Sequence, residues 1–275
     1  MDLPHKTSVA YAITVTDCTP TIFDAAAVLA KSIRTTQQHY SYDLIAILHH
    51  VQARDCQQGL EYLGYQVMLK DVPFRLEELK ARNRIELGRG GCCGISEYLK
   101  LYTVSLTQYD VVLHLDVDAI VLQPLDPLID VVLRGASSKY TLRTIPSSYS
   151  IPDEVDFLYT RDYNTVNKND PTNRLKNGVQ GAFFVVKPST TRFEDLLRVV
   201  KTTDFDRSKG WNRSGFGGYW GSAQIQGLFS YYYFLHPETT AELHHCWYNT
   251  LGIDMRYLKG SNDTICRTGE TSPVH

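Results

Sequence analysis

One stretch limits what this chain can fold into: Tyr109-Asp110-Val111-Val112-Leu113-His114-Leu115-Asp116-Val117-Asp118-Ala119-Ile120-Val121-Leu122. A continuous apolar run of this kind reads as a strand buried on both faces of a parallel sheet. Residues two apart on a strand point the same way, so Asp116 and Asp118 are placed to converge. Two buried like charges are costly unless a cation lies between them, and all-oxygen ligation favours Mg²⁺ or Mn²⁺ over zinc. In open α/β sheets, ligands bind beyond the carboxyl ends of the strands, where this pair falls. A structural turn is the competing reading. Asp204-Phe205-Asp206 supplies an internal control, since it has the same spacing among Thr, Arg, Ser and Lys and reads as a solvated loop or helix cap. The apolar surroundings of Asp116 and Asp118 put a metal site ahead of a turn.

The elements around this stretch alternate. Val9 to Val15 reads as the first strand, followed by the turn Asp17-Cys18-Thr19-Pro20 and a helix over Asp24 to Ile33, with Asp24 near its start. Leu44 to Leu48 and Tyr65 to Leu69 read as strands, Arg54 to Leu63 and Arg75 to Arg84 as helices. That alternation predicts an α/β fold with right-handed crossovers. Gly88-Arg89-Gly90-Gly91-Cys92-Cys93-Gly94 lacks a P-loop ending and reads as a flexible loop, with Arg84 or Arg89 as phosphate candidates. Ile95 to Gln108 carries a helical stripe of Ile95, Tyr98, Leu99, Tyr102 and Leu106. Lys100 lies off the centre of that stripe, either reaching a phosphate or solvated on the surface.

Beyond the carboxylates, Gln123-Pro124-Leu125-Asp126-Pro127-Leu128 turns into a short helix, and Tyr140 to Asp170 reads as long loops with one short strand. Gly178 to Pro188 is a second buried strand, entered through Asn177 and Gln180, whose glycines let a ligand approach the backbone. Ser189 to Lys201 is an amphipathic helix that Ser189 caps, and Gln224 to Tyr233 a helix carrying Gln224 and Gln226. Trp211, Tyr219 and Trp220, in a glycine-rich segment, read as a surface rim rather than core. His244 and His245 default to a partly buried structural role, since adjacent histidines do not easily bind one metal.

Composition excludes several classes. A net charge of −2 over 275 residues argues against a nucleic-acid or anionic-membrane surface. No apolar stretch is long enough to span a bilayer, and Met1 to Lys6 is no signal peptide. Six cysteines without a C-x-x-C pair make a zinc knuckle unexpected and leave zero to three disulfides open. The sequons Asn212-Arg213-Ser214 and Asn262-Asp263-Thr264 lean towards a secretory lumen, such as the Golgi, if a signal or anchor has been removed; otherwise the cytoplasm is expected.

Tyr98-Leu99-Lys100-Leu101-Tyr102, then Leu106-Thr107-Gln108-Tyr109, Leu115 to Leu122 and Leu125-Asp126-Pro127-Leu128 follow in an order and spacing that resembles the retaining glycosyltransferases of family eight, the glycogenin-like group. The resemblance extends more weakly over the first strand and helix, Gln180 to Pro188 and Gln226 to Tyr233. It implies one Rossmann-like, nucleotide-sugar-binding α/β domain of GT-A type over residues 1–275, with a mostly parallel sheet and helices on both faces. It implies a hexosyl- or pentosyltransferase using a UDP-sugar donor, Mn²⁺ held by Asp116 and Asp118 with Mg²⁺ as the alternative, and a carbohydrate or glycoprotein acceptor. It implies that Lys100 contacts the donor, that uracil sits near Thr14, Thr16 and Asp17, and that Val117 lies against the nucleotide. It leaves room for a homodimer. Gln226 and Gln180 are the amides expected near the anomeric carbon.

Two departures from the family pattern matter. Ile225 stands where an acidic residue usually precedes the glutamine, which removes a candidate nucleophile and favours front-side attack. The family's third metal ligand is a histidine leading into a glycine and a Lys-Pro-Trp; that motif would begin at the terminal His275, with His244 or His245 as alternatives. Competing readings are a silent UDP-sugar binder and a sugar-nucleotide hydrolase or pyrophosphorylase.

Overall fold

The computed structural model describes residues 7–37, 39–88, 93–144, 150–161 and 178–249. The expectations for Arg89, Asn177, Asn262, His275 and the His245 side chain lie outside the described residues.

Strand β1 (Val9–Val15) leads into helix α1 (Pro20–Thr36), then β2 (Tyr42–His49), α2 (Ala53–Tyr62) and β3 (Gln66–Lys70). Helix α3 (Ala81–Gly88) precedes a long 3₁₀ helix (Gly94–Ser105), strand β4 (Val111–Leu115) and helix α4 (Asp126–Arg134). Strands β5 (Phe157–Arg161) and β6 (Val179–Val186) follow, then α5 (Thr190–Thr202), a two-stranded ribbon β7 (Phe205–Asp206) and β8 (Gly210–Trp211), and α6 (Ile225–Phe234). Strand β9 (Thr240–Glu242) and the short helix α7 (His245–Tyr248) end the described chain. The main sheet has seven strands in the order β3-β2-β1-β4-β6-β5-β9. All neighbours pair in parallel except β6, which runs antiparallel to β4 and β5. This is the mixed, mostly parallel α/β sheet expected.

Both faces are covered, and the strands divide their side chains by period two. Val9, Tyr11, Ile13 and Val15 join Leu44, Ala46 and Leu48, with Val111, Leu113 and Leu115, in a core under α1, α2 and α4. Ala10, Ala12, Ile45, Ile47 and Val112 face the other core, against the 3₁₀ helix, α5 and α6. Residues of opposite phase within one strand are therefore equally buried, which is why the sequence shows unbroken apolar runs.

Several local expectations are corrected. Helix α1 starts at Pro20, whose fixed φ suits the first helical position, so Asp24 lies beyond the first turn. The segment Arg75 to Arg84 is two pieces, a 3₁₀ turn at Leu76–Glu78 and α3 from Ala81. Strand β4 stops at Leu115, so Asp116 and Asp118 stand in the turn beyond it, where the Ala119 amide donates to the Asp116 carbonyl at 3.0 Å. The apolar residues after the pair are no strand: Val121 is buried, but Ile120 and Leu122 are exposed. Trp211 is fully buried against Phe205 and not part of a rim, whereas Trp220 is exposed as expected. Ser189 caps α5, accepting from the Arg192 amide at 3.3 Å.

A disulfide joins Cys18 to Cys56, tying the turn after β1 to helix α2. Asp204 is exposed as expected, but Asp206 belongs to ribbon strand β7 and is largely covered, so the pair is neither a plain loop nor a helix cap. Asp204 meets Lys80 at 2.8 Å, and Asp206 accepts from the Ser208 hydroxyl and amide, which holds its carboxyl down at about 2.

Candidate functional site

Parallel strands β1 to β4 end at one edge of the sheet, and the turn after β4 puts Asp116 there. The Asp116 amide donates to the Ala182 carbonyl at 2.7 Å, so β6 fixes the backbone of the turn. Asp118, two residues on, is exposed.

Lys100 comes from the 3₁₀ helix. Twelve residues is long for this tighter winding, in which side chains three apart eclipse one another. That repeat stacks Glu97, Lys100 and Thr103 in one row, and the Thr103 and Ser105 hydroxyls reinforce it by donating to the carbonyls three residues back. Lys100 is only 6% exposed, which rules out the solvated surface lysine. Its ammonium lies 2.8 Å from Asp116 Oδ1 and 3.3 Å from Glu97 Oε2, and donates to the Gly181 carbonyl at 3.3 Å. The three protons of the ammonium thus have three acceptors, and a donor substrate would have to displace one of them to touch Lys100.

The electrostatics follow from this arrangement. Burial disfavours the Lys100 charge, but Asp116 and Glu97 outweigh it and hold the ammonium above its usual pKa. For Asp116, burial is the largest influence and raises the carboxyl; Lys100 opposes it, while Glu97 and Asp118 push the same way as burial. Glu97, Asp116 and Asp118 against Lys100 leave two negative charges in excess. Hard oxygen donors with that excess fit a divalent Mn²⁺ or Mg²⁺ ion. Among the described residues no third His, Cys, Asp or Glu joins Asp116 and Asp118 in a three-ligand cluster. His244 is buried beside β9, three strands along the sheet from β4.

Gln226 comes from helix α6, which packs on the same face of the sheet as the 3₁₀ helix. Helix α6 begins at Ile225, and glycine at 181 lets it approach β6: a Cβ there would lie 3.1 Å from both Gln226 Cγ and Ile225 Cγ2. Gly221, at φ +82°, clears the Gln226 amide oxygen in the same way. That oxygen is buried and has no hydrogen-bond partner among the described residues, nor do the amide atoms of Gln224. An unsatisfied buried amide costs about 1–3 kcal/mol and calls for an outside partner. The Gln180 amide oxygen, by contrast, accepts from the Ala182 amide. Lys100, Asp116, Gln180 and Gln226 therefore converge around Gly181 and Ala182.

Thr14 and Thr16 are half-buried and Asp17 exposed at the end of β1; Val117 is partly buried against the α1 core. The Asp17 carboxylate accepts from the Cys18 amide at 2.8 Å. Arg84 is tied down, its guanidinium donating to the Leu79 and Glu77 carbonyls at 3.0 Å, so it is not poised for a phosphate.

Sequence reasoning missed Glu97 and His114. Glu97 was legible as the residue three before Lys100, had the winding been known. His114 hid inside an apolar strand; it is buried, stacks on Phe184 at 4.7 Å, and its Nε2 lies 3.2 Å from the Thr14 hydroxyl. Burial first, then Lys100, holds its pKa well below the usual imidazole value, so it is neutral.

The fold is that of GT-A glycosyltransferases. Mouse xyloside xylosyltransferase 1, in its apo form, superposes with a TM-score of 0.57 at 12% identity, covering 97% of this chain and 95% of that one. An active-site mutant of LgtC gives 0.53 at 12% identity over 94% and 81%. The apo-form glycosyltransferase GlyE of Streptococcus pneumoniae gives 0.51 at 12% identity, over 95% of this chain and 51% of that one. No protein-family model and no curated protein sequence matches the chain. At 12% identity the likeness is one of fold.

Proposed function

We propose that the chain is a retaining glycosyltransferase of the glycogenin-like kind, acting as one domain, that moves a hexose or pentose from a UDP-sugar to an acceptor hydroxyl. The observation that carries this reading is the buried Lys100 ammonium held between Asp116 and Glu97 at the carboxyl edge of the sheet, where it meets the Gly181 carbonyl, with the Gln226 side chain packed on the same glycine and its amide oxygen unpaired. Asp116 and Asp118 would hold Mn²⁺, or Mg²⁺ in its place, which when bound offsets the charge that develops on the departing diphosphate. Lys100 keeps the Asp116 carboxylate oriented and ionised. The turn Thr14, Thr16 and Asp17 takes the uracil, with His114 fixing the Thr14 hydroxyl, and Val117 lines the nucleotide.

The Gln226 amide oxygen, with Gln180 as the second amide, serves the anomeric carbon and stabilises its oxocarbenium character. The bond from that carbon to the diphosphate oxygen breaks as the acceptor oxygen attacks on the same face, and the acceptor proton passes to the leaving oxygen. Ile225 offers no carboxylate for a covalent intermediate, which supports front-side attack.

The test is UDP binding by calorimetry with Mn²⁺ and with EDTA, then UDP release across a panel of UDP-sugars, in wild type and Asp118→Asn. Metal-dependent binding, release from one sugar, and loss of both in Asp118→Asn support the proposal. Binding without release from any sugar favours a silent binder. Turnover that survives Asp118→Asn removes the metal assignment.

A further inference from the structure

We infer a second metal site, separate from Asp116 and Asp118 and built for a different class of ion: a two-histidine, one-carboxylate site for Zn²⁺, Co²⁺ or Ni²⁺ formed by His49, His50 and Asp71. One ligand atom from each lies within 4.8 Å of the other two, and among the described residues this is the one such three-ligand group.

The backbone explains why these residues meet. Strands β2 and β3 are parallel, with His49 opposite Lys70. The next residues, His50 and Asp71, therefore leave the sheet side by side, and their side chains are in direct contact. Adjacent residues on a strand face opposite ways, which ordinarily keeps neighbouring histidines from sharing an ion. Here the strand ends at His49 and a 3₁₀ turn opens at His50. The turn swings the second ring round until the two stack, 5.3 Å apart and 29° from parallel. A long bond of 3.4 Å from the Val51 amide turns the His49 ring.

Lys70 next door holds its ammonium over the Tyr102 ring, 5.1 Å from the centroid.

Donor chemistry sets the class of ion. Imidazole nitrogens with one carboxylate suit Zn²⁺ and its neighbours in the first row, whereas the all-oxygen pair Asp116 and Asp118 suits Mn²⁺ or Mg²⁺. Bonds of about 2.0–2.1 Å to a tetrahedral ion put donor atoms about 3.4 Å apart. Seating an ion therefore means parting His50 and Asp71, now in direct contact, by roughly an ångström, and both are exposed and able to move. A fourth position stays open to water.

The site lies at the same sheet edge as Asp116, two strand spacings or about 10 Å along it. Val15 pairs with Leu48, so the turn beginning at Thr16 runs beside His49. A bound ion would clip β2 to β3 next to that turn. This inference does not depend on the chain being a transferase.

The experiment uses tag-free Asp118→Asn protein, which disables the oxygen site, titrated with Co²⁺ and followed by visible absorption and thermal unfolding. The expected result is one equivalent of bound Co²⁺, displaced by Zn²⁺, with a raised Tm. His50→Ala and Asp71→Asn, each added to that background, should weaken binding by about tenfold or more. The absence of Co²⁺ binding in folded Asp118→Asn protein would overturn the inference, as would binding that both further substitutions leave unchanged. In those cases His50 and Asp71 are a surface pair and nothing more.

Discussion

Replacing Lys100 by methionine keeps most of the side-chain volume and removes the ammonium that faces Asp116 and Glu97 at 2.8 and 3.3 Å. Breaking a buried ion pair by deleting one partner costs about 3–5 kcal/mol, because the other charge is stranded. Asp116 is a third exposed, so solvent relieves part of this and about 3 kcal/mol is the value to expect. An unfolding entropy of about 2.1 cal/mol/K per residue, over 275 residues, makes that a fall of roughly 5 °C in Tm. The loss should depend on pH. Burial, with Glu97 and Asp118, already holds the Asp116 carboxyl above its usual range, and Lys100 opposes them, so its removal raises the carboxyl further.

A raised carboxyl binds its proton more tightly folded than unfolded; its contribution is complete below about pH 4 and is lost as pH climbs through the folded value. Lys100 itself, also raised, titrates far above this window. Thermal unfolding of both proteins at pH 5 and pH 8 should therefore show the larger deficit at pH 8. Adding Asp116→Asn to the variant should recover part of the loss, since no stranded carboxylate then remains at that position. A deficit of the same size at both pH values would refute the reasoning, and so would a double variant no more stable than the single one.

Gly181→Ala puts a methyl 3.1 Å from Gln226 Cγ, and a shift of a few tenths of an ångström in that amide should cut transfer about tenfold while UDP affinity holds; full activity would show that the position of Gln226 does not matter. Cys18→Ala opens a loop of 38 residues, worth about 4 kcal/mol in chain entropy and so about 7 °C in Tm, and an unchanged Tm would mean the cross-link contributes nothing. His114, neutral and held well below its usual pKa, makes the folded state bind fewer protons, so stability should fall as pH drops below about 6.5. His114→Phe should flatten that part of the Tm profile, and parallel profiles between pH 5 and 6.5 would count against the assignment.

Much of the fold was legible because its elements are local statements. Val9–Val15 is a strand in both readings, and so are the cores of β2, β3 and β6, since unbroken apolar runs of this length have few alternatives in an α/β chain. Ser189 announces its helix by capping chemistry. Trp211 was misjudged because glycine-rich surroundings speak of backbone freedom and say nothing of which side of the ribbon meets the core. The long 3₁₀ helix was misjudged because an apolar stripe with a repeat of 3.6 residues and one with a repeat of 3 overlap over a few turns.

The sequence by itself determined the class of sheet, the main strands and helices of the first half of the chain with β6, α5 and α6, and the presence of two carboxylates at a strand end, because periodicity and end signals act over a few residues. Only the tertiary structure decided what those carboxylates face. Lys100 is buried between Asp116 and Glu97 through a change in helical winding, and Gln226 reaches the same place through two glycines on other segments. His49, His50 and Asp71 meet through a strand register and a turn. Each of these is a contact between residues far apart in the chain or set by backbone geometry, and the free energy that fixes it comes from burial shared across the whole sheet, which no local pattern records.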